Sequence, residues 1–397
     1  MFRNIPFYRV NWISSVFLIG TALLTITAVP WYLFTYGWDW FLFGLFFVLY
    51  LTAGLSITVG YHRLFSHRTF KASMPVRLFT LIFGAAAFEN SVLEWCSDHR
   101  NHHKHVDSDE DPYDISKGFF WAHIGWILFK ILPPPPLDNV SDLKRDPLIV
   151  WQHKRVHLIA FTIGFGLPTL IGYLYADLTG AMSVSQGLLG GFLIGGVARV
   201  TAVQHSTFFI NSLCHMVGKQ TYSSECSARD HWTMAIFTFG EGYHNYHHEF
   251  QWDYRNGVKP WHIDPSKWLI WAMSKIGMTT ELKRVSNEKI LLAEVREAQR
   301  RYAAEMPSFE AAGLEGEITW DKALNSLKEF EQRILEIYEE LREAVQDKLA
   351  LSKSTLRSLR PELRKAIEYF DLEAKSTTAP NGGGLAVFRF NPKGQRV

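Results

Sequence analysis

The sequence predicts an all-α membrane protein with four transmembrane helices and a soluble C-terminal helical tail. Three observations carry this. Four segments, at about 12–34, 40–60, 158–175 and 186–204, are apolar over roughly the 20 residues that a bilayer-crossing helix needs. The short connections inside the first and second pairs of segments contain no Lys or Arg. Eight of the 16 histidines fall into three short windows on the basic side of those segments.

Taken in order, the first two segments are joined by a stretch rich in aromatic rings, Trp31, Tyr32, Tyr36, Trp38 and Trp40, as an interfacial belt would be. Residues 76–93 are apolar but short and end in polar residues, so they predict an interfacial or buried helix. PPPP at 133–136 is a stiff break before the third segment, and Pro168 predicts a kink within it. The basic residues at Arg3 and Arg9, over 62–157 and beyond Arg199 place both termini and all histidine windows in the cytoplasm by the positive-inside rule. No cleavable signal peptide is predicted, because the first apolar run is long and lacks a small-residue cleavage site. Residues 1–284 read as the membrane domain and 285–397 as a cytoplasmic helical tail, flexible after 376 or so. In that tail Leu324, Leu327, Phe330, Ile334, Ile337, Leu341, Val345 and Leu349 recur at helical spacing, which predicts a hairpin packing on the cytoplasmic face.

Composition excludes some functions. A net charge of +2 offers no electrostatic case for nucleic acid. Cys96, Cys214 and Cys226 are too few and too scattered for a disulfide framework or a cysteine zinc site, and read as free thiols.

The histidine windows are HRLFSH (His62, His67), HRNHH (His99, His102, His103) and HNYHH (His244, His247, His248). Neutral imidazole is the commonest side-chain ligand of redox-active first-row metals. In a helix, HxxHH puts the first histidine on the face of the other two. His62 and His67 lie about 140° apart on a regular helix, so they converge only if the helix ends or loosens between them. All-nitrogen ligation without cysteine argues against structural zinc and for iron that activates O2. Apolar surroundings then point to a lipid-soluble substrate such as an acyl chain. Asp98, Asp107, Asp109, Asp111, Glu225 and Glu241 are candidates to orient imidazoles, with solvated surface charge favoured for Asp107 and Asp109.

TVGYHRLFSHRTFKA, DHRNHHKH, GFFWAHIGW, INSLCH and GEGYHNYHHEFQWDY together resemble the membrane-bound acyl-CoA desaturases of the stearoyl-CoA Δ9 type, over roughly residues 40–284. The resemblance implies a cytoplasmic helical cap over the four spans, a di-iron centre, and insertion of a cis double bond that consumes O2 and two electrons. It implies one iron on His62, His67, His99, His103 and His247, and a second on His102, His215, His244 and His248, with Asn211 reaching the second through water. It places Trp95 and Thr207 at the bend of an acyl tunnel and Asn90 and Asp98 near the head group. Glu89, Ser97 and Phe208 stand where the animal enzymes have glutamine, arginine and tryptophan. Loss of that arginine weakens the case for CoA phosphates. Lys130 and Arg100 are candidates to replace it, and acyl carrier protein or a lipid-linked acyl chain remain alternatives to acyl-CoA. His205 is expected to pack or support ligands, His123 to pack or touch substrate, and His105 to be exposed.

No fused redox domain is visible, so electrons are expected from a separate ferredoxin or cytochrome b5 type protein. A di-iron membrane hydroxylase is the nearest alternative. A metal carrier is disfavoured because the spans hold almost no ionisable residue besides Arg199.

Overall fold

A computed structural model describes residues 7–130, 133–135, 137–311 and seven positions between 325 and 336. The chain divides into two units, Met1–Ser286 and Asn287–Val397.

In the first unit the helices are α1 (Trp12–Tyr36), α2 (Trp40–Ser66), α3 (Met74–Ala85), α4 (Val92–His105), α5 (residues 121–128), α6 (Pro147–Thr179), α7 (Val184–His215), α8 (Trp232–Phe237), α9 (His244–Glu249) and α10 (Pro265–Lys275). A two-residue ribbon, β1 (Lys71–Ala72) against β2 (Thr279–Thr280), is a small addition to the all-α expectation. Helices α1, α2, α6 and α7 are long and apolar enough to cross a membrane, which makes this a multi-pass membrane protein. Three of them outrun the apolar segments read from the sequence. α2 continues to Ser66, α6 begins at Pro147, and α7 continues to His215. The extra turns are polar but pack against protein, so the helices persist where apolarity stops. Those turns carry five of the histidines, His62, His153, His157, His205 and His215.

Local chemistry sets the ends. Asp39 caps α2 by accepting from the Leu42 amide at 2.9 Å. Asp146 caps α6, with Pro147 at its first position. Ser91 and Glu94 form a reciprocal capping box that starts α4.

α6 and α7 pack backbone to backbone. A Cβ on Gly172 would stand 2.1 Å from the Gly187 carbonyl oxygen, and one on Gly191 would stand 2.3 Å from that of Pro168. This is the small-residue packing typical of membrane helices. Pro168 follows a widened, π-helical turn at Thr162–Gly166. Having no N–H, it leaves the Gly164 carbonyl without its helical donor. Arg199 fills that role: its buried guanidinium donates to Gly164 O at 2.6 Å, Ala86 O at 2.7 Å and Gly195 O at 3.3 Å. This buried cation of α7 is therefore a backbone staple. Tyr32 also departs from expectation, turning inward to donate to Gln186 O at 3.1 Å while Trp31, Trp38 and Trp40 stay exposed.

The main core of this unit lies where α3, α4 and α10 meet the end of α2, around Tyr61, Leu81, Leu93, Ile149 and Ile270. Arg63 anchors it. Fully buried, it donates to Glu241 at 2.9 Å, Tyr254 O at 2.9 Å and Asp264 at 3.2 Å, tying the end of α2 to the segment around α9.

In the second unit, α11 (Asn287–Ala311) is an amphipathic helix. The eight-residue stripe from Leu324 to Leu349 and the stretch after 376 lie outside the described residues.

Candidate metal centre

The residues from Ser56 to Ser66 form a π-helical end to α2, and the His67 amide donates to His62 O at 3.0 Å, an i to i+5 bond. This wider turn brings histidines five apart onto one face, with ring centroids 4.8 Å apart. It is the loosening that their spacing requires.

α4 and α9 each split their HxxHH motif between two groups. Spacing of four sends His99 and His103 one way, and His244 and His248 the other. His62, His67, His99, His103 and His247 form a first group, and His102, His215, His244 and His248 a second. Within each group the ligand atoms all lie within 4.8 Å of one another. Representative Nε2–Nε2 separations are 2.8 Å for His67–His99, 3.0 Å for His62–His247, 3.3 Å for His102–His248 and 3.1 Å for His215–His244.

These contacts suit metal ions. His102 Nδ1 lies 2.9 Å from both Asp111 oxygens, and His62 Nδ1 lies 3.0 Å from Glu241 Oε2. A carboxylate only accepts, so each Nδ1 carries the hydrogen and each Nε2 presents a lone pair inward. Burial, reinforced by neighbouring imidazoles, pushes His99, His103, His244, His247 and His248 well below their ordinary pKa. They are neutral at pH 7. Burial opposes ionisation of Glu241, but Arg63 and His62 hold its pKa below the ordinary value. Buried lone pairs facing one another, with anions behind them, need cations between them.

Some supports differ from expectation. His215 Nδ1 contacts Ser227 Oγ at 2.7 Å, and Asp107 accepts from the Ser227 amide at 2.6 Å. Asp107 thus backs a histidine through a serine and is no free surface charge. Asp109 is exposed and pairs with Lys117, as its solvated reading had it. Asp98 borders the cavity described below, where burial pushes its pKa up to about 7. His105 is half-buried and pairs with Glu110 at 2.9 Å. His205 and His123 bond one another at 2.9 Å, with His123 on Ser212 at 3.0 Å, away from both groups. Sequence reasoning missed Ser227 and Asp264. Arg63 lay in plain view, between the histidines of HRLFSH.

A cavity of about 900 Å3 reaches the first group at His99. Trp95 stacks on His99 with centroids 4.9 Å apart and donates to Glu89 at 3.2 Å. Trp95, Thr207, Asn90, Asp98, Lys130 and Asn211 all line this cavity, and Phe17, Phe88 and Phe161 supply an apolar limb. Arg100 does not. Its guanidinium is consumed by Asp142 at 2.7 Å and by the carbonyls of Asn139, Phe65 and Ser66. Ser97 is buried against Asn139 and is likewise off the cavity. Lys130 alone remains of the two proposed replacement cations.

The family model for fatty acid desaturase matches residues 38–274, a stretch that contains all nine histidines of the two groups. The chain belongs to the fatty acid desaturase family. It is 38% identical over 302 residues to acyl-CoA desaturase 1 of Saccharomyces cerevisiae, covering 74% of this chain and 56% of that one. It is 38% identical over 296 residues to a probable acyl-CoA desaturase of Schizosaccharomyces pombe, covering 58% of it. The human stearoyl-CoA desaturase is 35% identical over 286 residues, covering 71% of this chain and 76% of that one. The chain thus spans little more than half the length of the two yeast relatives. In this member of the family the matched region and the two histidine groups coincide.

Proposed function

We propose that the protein is an O2-dependent acyl desaturase that inserts a cis double bond, at Δ9, into a saturated acyl chain. The observation that carries this is the cavity. It is lined by several aromatic rings and a few polar groups, and by a tryptophan stacked against a histidine of the first group. Its volume sits within the range of about 300–1,000 Å3 usual for small-ligand sites.

The first histidine group would hold one iron and the second another, with Asn211 reaching the second through water. Iron there supplies O2 activation and hydrogen abstraction from unactivated carbon, chemistry no side chain in the cavity offers. The chain's own residues do the rest. Asp111 and Glu241 fix the tautomers of His102 and His62. Trp95 and Thr207 shape the cavity wall beside His99 and hold the reacting carbons there, and the aromatic limb keeps water from them. Asn90, Asp98 and Lys130 supply polar groups to the cavity and would receive the carrier end of the chain. The carrier is CoA by likeness to the relatives' names, although a single lysine is a sparse welcome for its phosphates. Electrons come from a separate donor protein. The histidine groups face the cytoplasm, as the Lys and Arg asymmetry supports.

The test is expression in a host unable to make unsaturated fatty acids, followed by chromatography of its lipids. A cis monounsaturated product is expected. An alcohol in its place would assign the chain to hydroxylation.

A further inference from the structure

Among the described residues, two hollows reach the first histidine group. His99 faces the 900 Å3 cavity, whereas His67 and His103 floor a separate recess of about 410 Å3. The remaining lining of that recess is Ser66, Arg100, Lys104, Gln251 and Trp252, and no residue is shared with the larger cavity. Among the described residues its lining carries two cations, Lys104 and Arg100, the latter paired with Asp142. Arg68 adds a third close by, 67% exposed and 3.7 Å from the same Asp142 that holds Arg100. Trp252 stands 41% exposed at the recess.

We propose that this recess is the docking surface for the electron donor, a small acidic one-electron carrier protein. The proposal rests on the desaturase reading and names the face that reading leaves open. During turnover the acyl chain occupies the larger cavity, so the recess is the side on which reducing equivalents can approach. There His67 and His103, both partly exposed, line the recess among the described residues. The electron count requires such a face. The acyl –CH2–CH2– unit gives up two hydrogens, and O2 takes these with two protons and two electrons to leave as two waters. The carrier is oxidised by one electron per docking, so each turnover needs two dockings. Cations around an exposed tryptophan suit brief, steered binding of an anionic partner.

The test uses the full-length iron-loaded protein in detergent or nanodiscs. The probes are an acidic [2Fe–2S] ferredoxin and the soluble haem domain of a cytochrome b5. Binding is measured directly over a salt series for the wild type, for Lys104→Glu/Gln251→Glu and for Trp252→Ala. Lys219→Glu, outside the recess, controls for net charge. We expect the double variant to weaken carrier binding about tenfold and to flatten its salt dependence, with iron content retained. The ratio of turnover with the carrier to turnover with dithionite should fall in parallel. Unchanged affinity and salt slope in both recess variants, or an equal effect of Lys219→Glu, would overturn the proposal. Absence of any alkene from wild-type protein under both reductants, with carrier binding still sensitive to the recess, would overturn the desaturase reading and leave the surface standing.

Discussion

At the scale of single residues, the centre depends on groups behind the histidines as much as on the histidines. Glu89 is the most informative titratable residue on the cavity wall. Burial pushes its carboxyl up to about 8, while donation from Thr207 and Trp95 pulls the other way. Below that value it is a neutral acid on the cavity wall. Above it, an anion borders the acyl chain without a countercharge, and KM for the acyl substrate should rise as pH climbs through about 8. The rise should be about tenfold, a small part of what an unpaired buried carboxylate costs. Glu89→Gln should remove that alkaline limb, and a pH profile of kcat/KM for both proteins checks it. An unchanged limb in the variant would assign the titration elsewhere. The ligand residues were legible because HxxHH is short and helical geometry is local. The partners were not: Ser227 and Asp107 are 120 positions apart. The loss of Arg100 to Asp142 and three carbonyls is likewise invisible until the chain folds.

Among the elements, two helices do what apolar counting cannot foresee. α2 carries its histidines on a π-helical end, and α6 widens into a π-helical turn before Pro168, with Arg199 satisfying the carbonyl that proline strands. The spans were legible as apolar runs, but their ends were not, because the last turns are polar and buried by tertiary contact. Close approach of α6 and α7 yields a direct expectation. A valine at Gly187 must meet the Gly172 carbonyl oxygen, which already stands 2.3 Å from an added Cβ. Gly187→Val should therefore destabilise the protein by about 1–3 kcal/mol through forced separation of the helices. A drop in thermal midpoint in detergent would show it. An unchanged midpoint would mean that the two helices yield freely.

At the scale of the whole molecule, the account ties topology to chemistry. Both ligand-bearing ends, the His62–His67 turn and the end of α7, must lie on one side of the bilayer. Reporter tags at residue 1, at residue 140 and at residue 397 should all register as cytoplasmic, and tags near Gly37 and Thr179 as the opposite face. A tag at residue 140 on the far side would put the histidines in the wrong compartment. The sequence after residue 311 contains no histidine, so truncation after residue 320 should leave the metal complement intact.

The most direct test of the central claim is the iron-to-protein ratio of chain produced with ample iron, compared with that of single-group variants. The account predicts about two iron ions per wild-type chain and about one for His248→Ala, which removes a ligand of the second group alone. Turnover should be lost in His102→Ala, His215→Ala and His248→Ala. A wild-type ratio of one, or two irons and full activity in His248→Ala, would contradict the two-group centre.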